Sequence, residues 1–262
     1  MPGWASGPIM STSSSADPLA ALRPDLFAGR HALVTGGTSG IGLAVAQSFA
    51  RLGAEVTATG ATDAEVASAR AGEPRVRFER LDVRDGAAVG ATVAALPRLD
   101  VLVNCAGVIR RGAELDPEVF AEVVDINLTG SMRASVAARP RLKETGGSIV
   151  NTASMLAFFG GGLVPGYSAS KGGVAQMTKS LAIAFAPDRI RVNAVAPGWI
   201  ATPLTAALRQ DPTRNAPILD RTPMRRWGEP AEVAAGVAFL ASPLASFVTG
   251  ALLVIDGGYL VT

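Results

Sequence analysis

From His31 to Ile255, short runs rich in β-branched residues alternate with Ala-rich segments of helical period. The strand candidates are His31–Thr35, Glu55–Thr59, Arg75–Leu81, Val101–Val103, Ser148–Thr152, Arg191–Val195 and Leu252–Ile255. Helix candidates lie between them, near Ile41–Leu52, Asp63–Ala71, Gly86–Leu96, Pro117–Ala138, Ser168–Ala186 and Ala231–Leu240. Strands apolar on both faces, each followed by a helix, bury themselves best as a parallel sheet with helices on both sides. The pattern therefore predicts one α/β domain with a doubly wound parallel sheet. No internal repeat or linker divides it.

Scarce residues narrow the chemistry. The 262-residue chain holds one His, one Cys, two Tyr and three Lys, at 143, 171 and 179. A single Cys forbids an internal disulfide or a multi-Cys zinc site, and no metal site is expected. His31 directly precedes the apolar run Ala32-Leu33-Val34 and reads as a strand residue rather than a catalytic base. The net charge of +2 includes no basic run longer than Arg110-Arg111 or Arg225-Arg226, so no nucleic-acid partner is expected.

Residues 1–24 are expected to be a flexible tail, because Met1 to Asp17 is rich in Ser, Gly and Pro and lacks the charged and apolar regions of a signal peptide. Gly146–Ser170 and Val233–Ile255 are long and uncharged, yet Asn151, Ser154 and Gly160-Gly161-Gly162 break the first, and Ser242-Pro243 breaks the second. No membrane partner is expected, and a cytoplasmic location is. Residues 25–262 then form the domain, within which 202–227, carrying Pro and Arg, is expected to be a substrate lid.

The turn after the first strand reads Thr35-Gly36-Gly37-Thr38-Ser39-Gly40-Ile41-Gly42 and opens a helix. Glycines let backbone N–H groups approach a pyrophosphate closely, and the helix N-terminus adds a partial positive charge. The spacing is G-x-x-x-G-x-G, so the motif rests on its position after the first strand. At the end of the second strand, Gly60-Ala61 offers neither an acid for ribose hydroxyls nor a base for a 2′-phosphate. NAD against NADP stays open on the residues, with NAD slightly favoured. Asp82-Val83 would meet an adenine, and Asn104-Cys105-Ala106-Gly107 would pass beside a flat ligand.

Tyr167 and Lys171 stand four apart on a predicted helix, and therefore on one face. A nearby ammonium favours the phenolate, which predicts a lowered phenol pKa and a general acid–base at Tyr167. Ser154 lies close upstream, at an uncharged strand end.

Together these motifs resemble the short-chain dehydrogenase/reductase family from about Phe27 to the end of the chain. Thr35-Gly36-x-x-x-Gly40-x-Gly42 is similar to its cofactor loop, Asn104-x-Ala106-Gly107 to its fourth-strand motif, Pro197-Gly198 with Ile200 and Thr202 to its nicotinamide-side loop, and Asp256-Gly257-Gly258 to its last-strand turn. Asn127, Ser154, Tyr167 and Lys171 match its catalytic residues, while Cys105 departs from a usual Asn. The resemblance implies a Rossmann-type fold and hydride transfer between NAD or NADP and a secondary alcohol or ketone. It implies that Tyr167 moves the proton, Ser154 bonds the reacting oxygen, Lys171 holds the ribose, and Asn127 anchors a water. It also implies a homotetramer.

Three further stretches, Asn104–Arg111, Ala153–Gly161 and Ile218–Gly228, resemble the branch that contains gluconate 5-dehydrogenase and 2-dehydro-3-deoxy-D-gluconate 5-dehydrogenase. Such sugar acids carry a carboxylate that Arg110 could clamp, although Arg110 and Arg111 could equally be surface charges. Met155, Phe159 and Trp199 would instead suit a hydrophobic ketone or a 3-oxoacyl thioester. A non-catalytic cofactor sensor is the remaining reading, disfavoured by the complete proton-relay set.

Overall fold

A computed structural model describes residues 17–262. Seven parallel strands lie in the order β3-β2-β1-β4-β5-β6-β7, each matching a predicted run within three residues. They are β1 (His31–Thr35), β2 (Glu55–Gly60), β3 (Arg77–Arg80), β4 (Val101–Asn104), β5 (Ser148–Thr152), β6 (Arg191–Pro197) and β7 (Leu252–Ile255). The chain order reverses beside β1, between β1 and β4, and there a doubly wound sheet opens a ligand crevice at its strand C-termini.

Side chains on successive strand residues point to opposite faces, and the core divides accordingly. Ala32 and Val34 of β1 join Val101 and Val103 of β4 on one face, under α1 (Gly40–Arg51) and α2 (Asp63–Gly72). Leu33, Leu102 and Ile149 face the other way, under α3 (Gly86–Ala95). The helix predicted over Pro117–Ala138 is divided: α4 (Pro117–Val124) and α5 (Gly130–Thr145) are joined by a π-turn over Asp125–Thr129. Helix α6 (Pro165–Phe185) lies alongside. Segment 202–227 carries two short helices, α7 (Ala206–Gln210) and α8 (Pro212–Arg221), and α9 (Pro230–Ala241) returns to cover the first face beside α1.

The expected tail boundary at residue 24 is wrong for residues 17–24. Leu19 is buried in the same cluster as Phe27 and Phe49, and Asp17 pairs with Arg51. Enough apolar surface near Leu52 remained to hold this segment down, which its composition did not reveal. Residues 1–16 lie outside the described residues. His31 is a strand residue as expected: its Nε2 is 3.0 Å from Thr57 Oγ1 at the N-terminal edge of the sheet. Among the described residues, no helix is long and apolar enough to cross a membrane.

Candidate active site

The turn after β1 is shaped by close backbone approach. Gly36 has φ +65°, and a Cβ there would stand 2.5 Å from the Cα of Ala106. A Cβ on Gly42 would stand 2.1 Å from the carbonyl oxygen of Gly36. Only glycine fits either place, so the turn presses flat against the end of β4. Helix α1 opens there with no side-chain cap at Ser39 and no acidic residue in its first turn. By contrast, α2, α3, α4 and α8 all have their first amides capped by Thr62, Asp85, Asp116 and Asp211. Open amides at a glycine-walled helix start fit a pyrophosphate.

This turn forms one end of a cleft of about 540 Å³. The sequence-predicted residues Gly36, Thr38, Ser39, Gly40, Ile41, Gly42, Gly60, Ala61, Asp82, Val83, Ala106, Gly107, Tyr167, Lys171 and Thr202 line it, and so does Arg110. Asn104 is not among the lining side chains, and its expected contact with a cofactor could come only from its backbone. Its amide nitrogen donates to Asn151 Oδ1 at 2.9 Å and to Ser135 Oγ at 3.2 Å, because the strand register turns its side chain toward α5. Pro197, Gly198 and Ile200 also stand outside the lining. The Gly198 amide closes onto Ile255 O at 2.9 Å, and Ile200 is buried in the core.

At the other end lies the Tyr–Lys pair. Lys171 is only 4% exposed, and its Nζ donates to the Thr152 carbonyl at 2.7 Å while lying 5.4 Å from the centre of the Tyr167 ring. Burial disfavours the ammonium and brings the Lys171 pKa down to about 8. The phenol does not follow the sequence expectation. Burial raises its pKa, the nearby Ser154 hydroxyl opposes that, and the Glu114 charge adds to it. Lys171 shares the dry end of the cleft with Tyr167 and is itself partly uncharged there, so its pull on the phenolate is weaker than i, i+4 spacing alone suggests.

Asn127 is buried in the π-turn. Its Oδ1 accepts from Val108 N at 2.8 Å, and its Nδ2 donates to Val108 O at 3.0 Å and to Ser170 Oγ at 3.1 Å. The turn thus ties the loop after β4 to α6. Ser154 starts a 3-10 turn and accepts from Leu156 N at 3.2 Å.

The predicted substrate residues divide. Arg110 borders the cleft, with Nη2 3.5 Å from Glu122 Oε1. Met155 is buried. Phe159 and Trp199 belong to an aromatic wall with Tyr259 and Trp227: the Trp199 ring lies 5.6 Å from Trp227 and 6.3 Å from Tyr259, and Phe159 lies 6.1 Å from Tyr259. Sequence reasoning missed Arg221, whose guanidinium sits 4.2 Å over Tyr259 and 5.3 Å over Phe159 and donates to Thr262 O at 3.5 Å. It also missed Glu114. Both are charged residues in otherwise ordinary surroundings, and neither belongs to a spacing motif.

Residues 36–260 match the family described as Enoyl-(Acyl carrier protein) reductase. The chain is 43% identical over 247 residues to cis-4-hydroxycyclohexanecarboxylate dehydrogenase of Sinomonas cyclohexanicum, covering 90% of this chain and 98% of that one. It is 39% identical over 241 residues to 2-dehydro-3-deoxy-D-gluconate 5-dehydrogenase of Bacillus subtilis, covering 88% and 95%. A solved structure from Agrobacterium tumefaciens, provisionally assigned as a 2-deoxy-D-gluconate 3-dehydrogenase and holding NADP, superposes with a TM-score of 0.82 at 40% identity, covering 91% and 99%. The chain belongs to the short-chain dehydrogenase/reductase family. It is an NAD(P)-dependent oxidoreductase acting on CH–OH groups.

Lys171→Met is expected to stabilise the cofactor-free protein at pH 7 by about 1–3 kcal/mol, since it removes a buried charge. A folded pKa of about 8 against an ordinary 10.5 means that between those values only the unfolded chain holds this proton. Wild-type stability therefore gains with pH across that window, and the variant's advantage should shrink. Urea melts of both proteins at pH 7 and pH 9.5 check this; a constant difference would count against it.

Proposed function

We propose that Tyr167 carries the proton between solvent and the reacting oxygen of a carboxylate-bearing secondary alcohol or the corresponding ketone. The observation behind this reading is the Tyr167–Lys171 pair lying in one cleft with the glycine-walled turn. Bound NAD(P) supplies or accepts the hydride. The Tyr167 hydroxyl gives its proton to the carbonyl oxygen in reduction and takes the alcohol proton in oxidation, with Ser154 bonded to the same oxygen. Lys171 spends one N–H on Thr152 and keeps two for the ribose hydroxyls. Replacing Tyr167 with Phe should lower kcat about 1,000-fold or more while leaving NADH affinity, followed by fluorescence, within threefold; retained turnover would remove the proton role.

The substrate class rests on two relatives whose names are those of hydroxy-acid and sugar-acid dehydrogenases, and on Arg110 at the cleft. A guanidinium there can meet a carboxylate in two parallel hydrogen bonds. With Arg110→Ala, the KM for a sugar acid should rise about 10-fold or more relative to that for a neutral polyol; an unchanged ratio would point away from a clamp. Phe159, Trp199, Trp227 and Tyr259 form an aromatic cluster outside that cleft lining, and an apolar substrate reaching it would fit a second reading, a reductase of hydrophobic ketones or 3-oxoacyl thioesters.

For the cofactor we favour NAD. Glu65, which accepts from Thr62 N–H at 3.0 Å, stands against Gly60 and lines the cleft there, while Arg80 donates to Ala61 O at 3.4 Å and faces Asp63 at 3.6 Å. A carboxylate there repels a 2′-phosphate and can accept from a 2′-hydroxyl. Side-by-side titration should give tighter binding of NADH than of NADPH, and the reverse order would overturn the preference.

A further inference from the structure

Helix α6 carries both Tyr167 and Lys171, yet its own N-terminus is badly equipped. Its N-cap is Val164, which has no side-chain acceptor, and its first turn contains no acidic residue. The Tyr167 N–H falls in that first turn, where helix amides have no intrahelical partner. It is satisfied from 53 residues upstream: Glu114 Oε2 accepts it at 2.7 Å. The other oxygen of the same carboxylate accepts the Arg110 N–H, also at 2.7 Å. Glu114 is 1% exposed, in a short 3-10 turn over Ala113–Leu115. Gly166 leaves room for it, because a Cβ at that position would lie 3.3 Å from Glu114 Oε2. A second tie runs in parallel, from Gly112 N–H to Leu163 O at 2.8 Å.

We propose that Glu114 is a positioning residue for proton transfer at Tyr167, its buried carboxylate capping α6 at the Tyr167 amide and locking the Arg110 loop to it. A carboxylate that only filled space would not be buried with both oxygens charge-bonded to backbone amides of two separate segments. The arrangement fixes where the phenol stands relative to the wall that carries Arg110. It also sets a charge near the phenol that opposes its ionisation. The other titratable or charged groups around the phenol are Lys171 on α6, the Cys105 thiol after β4, kept neutral by burial, Arg110 and Glu122 across the cleft, and Glu65 and the Asp82–Arg84 pair at its far end. Strand β5, packed beneath α6, has no charged residue.

The inference rests on Tyr167 as the proton carrier, so its test includes a readout that needs no substrate. The chain has two tyrosines, Tyr167 and Tyr259. In a Tyr259→Phe background the ultraviolet phenolate signal reports Tyr167 alone. Adding Glu114→Gln should move its titration midpoint down by about half a pH unit or more, since a like charge that opposes the phenolate is gone. Steady-state profiles of alcohol oxidation by Glu114→Gln in the otherwise native chain should show kcat reduced roughly 10- to 100-fold and its acid limb shifted to lower pH, with NADH affinity unchanged. Glu114→Asp keeps the charge but shortens the reach, and should lower kcat with the acid limb left in place. If Glu114→Gln lowers only the melting temperature and leaves the midpoint, the limb and kcat where they were, the carboxylate is structural and the proposal fails. An unmoved limb beside a shifted midpoint would instead remove Tyr167 from the proton step.

Discussion

Lys171 stands almost wholly out of water, and the architecture around the cleft is what makes that burial tolerable. An ammonium in such a place needs a fixed acceptor. The carbonyl of Thr152 supplies one because β5 ends where α6 passes over it. That demand propagates: α6 must hold its height and rotation against the sheet, so both its start and its neighbours must be pinned. Glu114 pins the start from the loop after β4, and Asn127 pins the flank through Ser170. The partial loss of charge on Lys171 follows from the same geometry, as does the raised pKa of the Tyr167 phenol. The Tyr167–Lys171 pair is thereby held largely out of water, with the Thr152 carbonyl and the Ser154 and Glu114 side chains as the polar groups beside it.

A second polar seam supports the first. Asn104 at the end of β4 bonds Asn151 on β5, which in turn donates to Thr178 on α6 at 3.0 Å. Ser135 of α5 joins the same network. Buried side chains bonded in this way favour one register, since a slip would break the bonds that Asn104 and Asn151 donate, while Asn104 Oδ1 itself stays without a partner among the described residues. The seam runs from the sheet into α5 and α6, the elements that flank the Tyr–Lys pair. It also explains why a cysteine is accommodated at position 105. Asn104 performs the bracing, while Cys105 makes only a 3.3 Å contact with Thr152 Oγ1.

The strand–helix order, the sheet class and the glycine turn were legible in the residues themselves. Each depends on local periodicity or on positions such as Gly36, where only one residue type fits. The Tyr–Lys pair was legible as a face, though its electrostatics were not: spacing shows that two side chains are neighbours but not how much water surrounds them. The π-turn at Asp125–Thr129 was invisible because its residues continue a helical pattern and its cause lies in Val108 and Ser170. The bracing role of the Asn104 side chain was not legible, since a motif does not state which face of a strand a side chain leaves by. The segment 17–24 was assigned to a tail by composition, although Leu19 is held in the core by Phe27 and Phe49.

The sequence by itself determined the layered α/β fold and the glycine turn after β1, because these follow from hydrophobic period and from steric limits on single residues, and the i, i+4 spacing set Tyr167 and Lys171 on one helix face. Only the tertiary structure decided the surroundings of that pair. Burial of Lys171 and the cap that Glu114 lends to α6 each join segments far apart in the chain. Charge, solvent exclusion and hydrogen-bond satisfaction depend on distances across space, and no local pattern of residues encodes them.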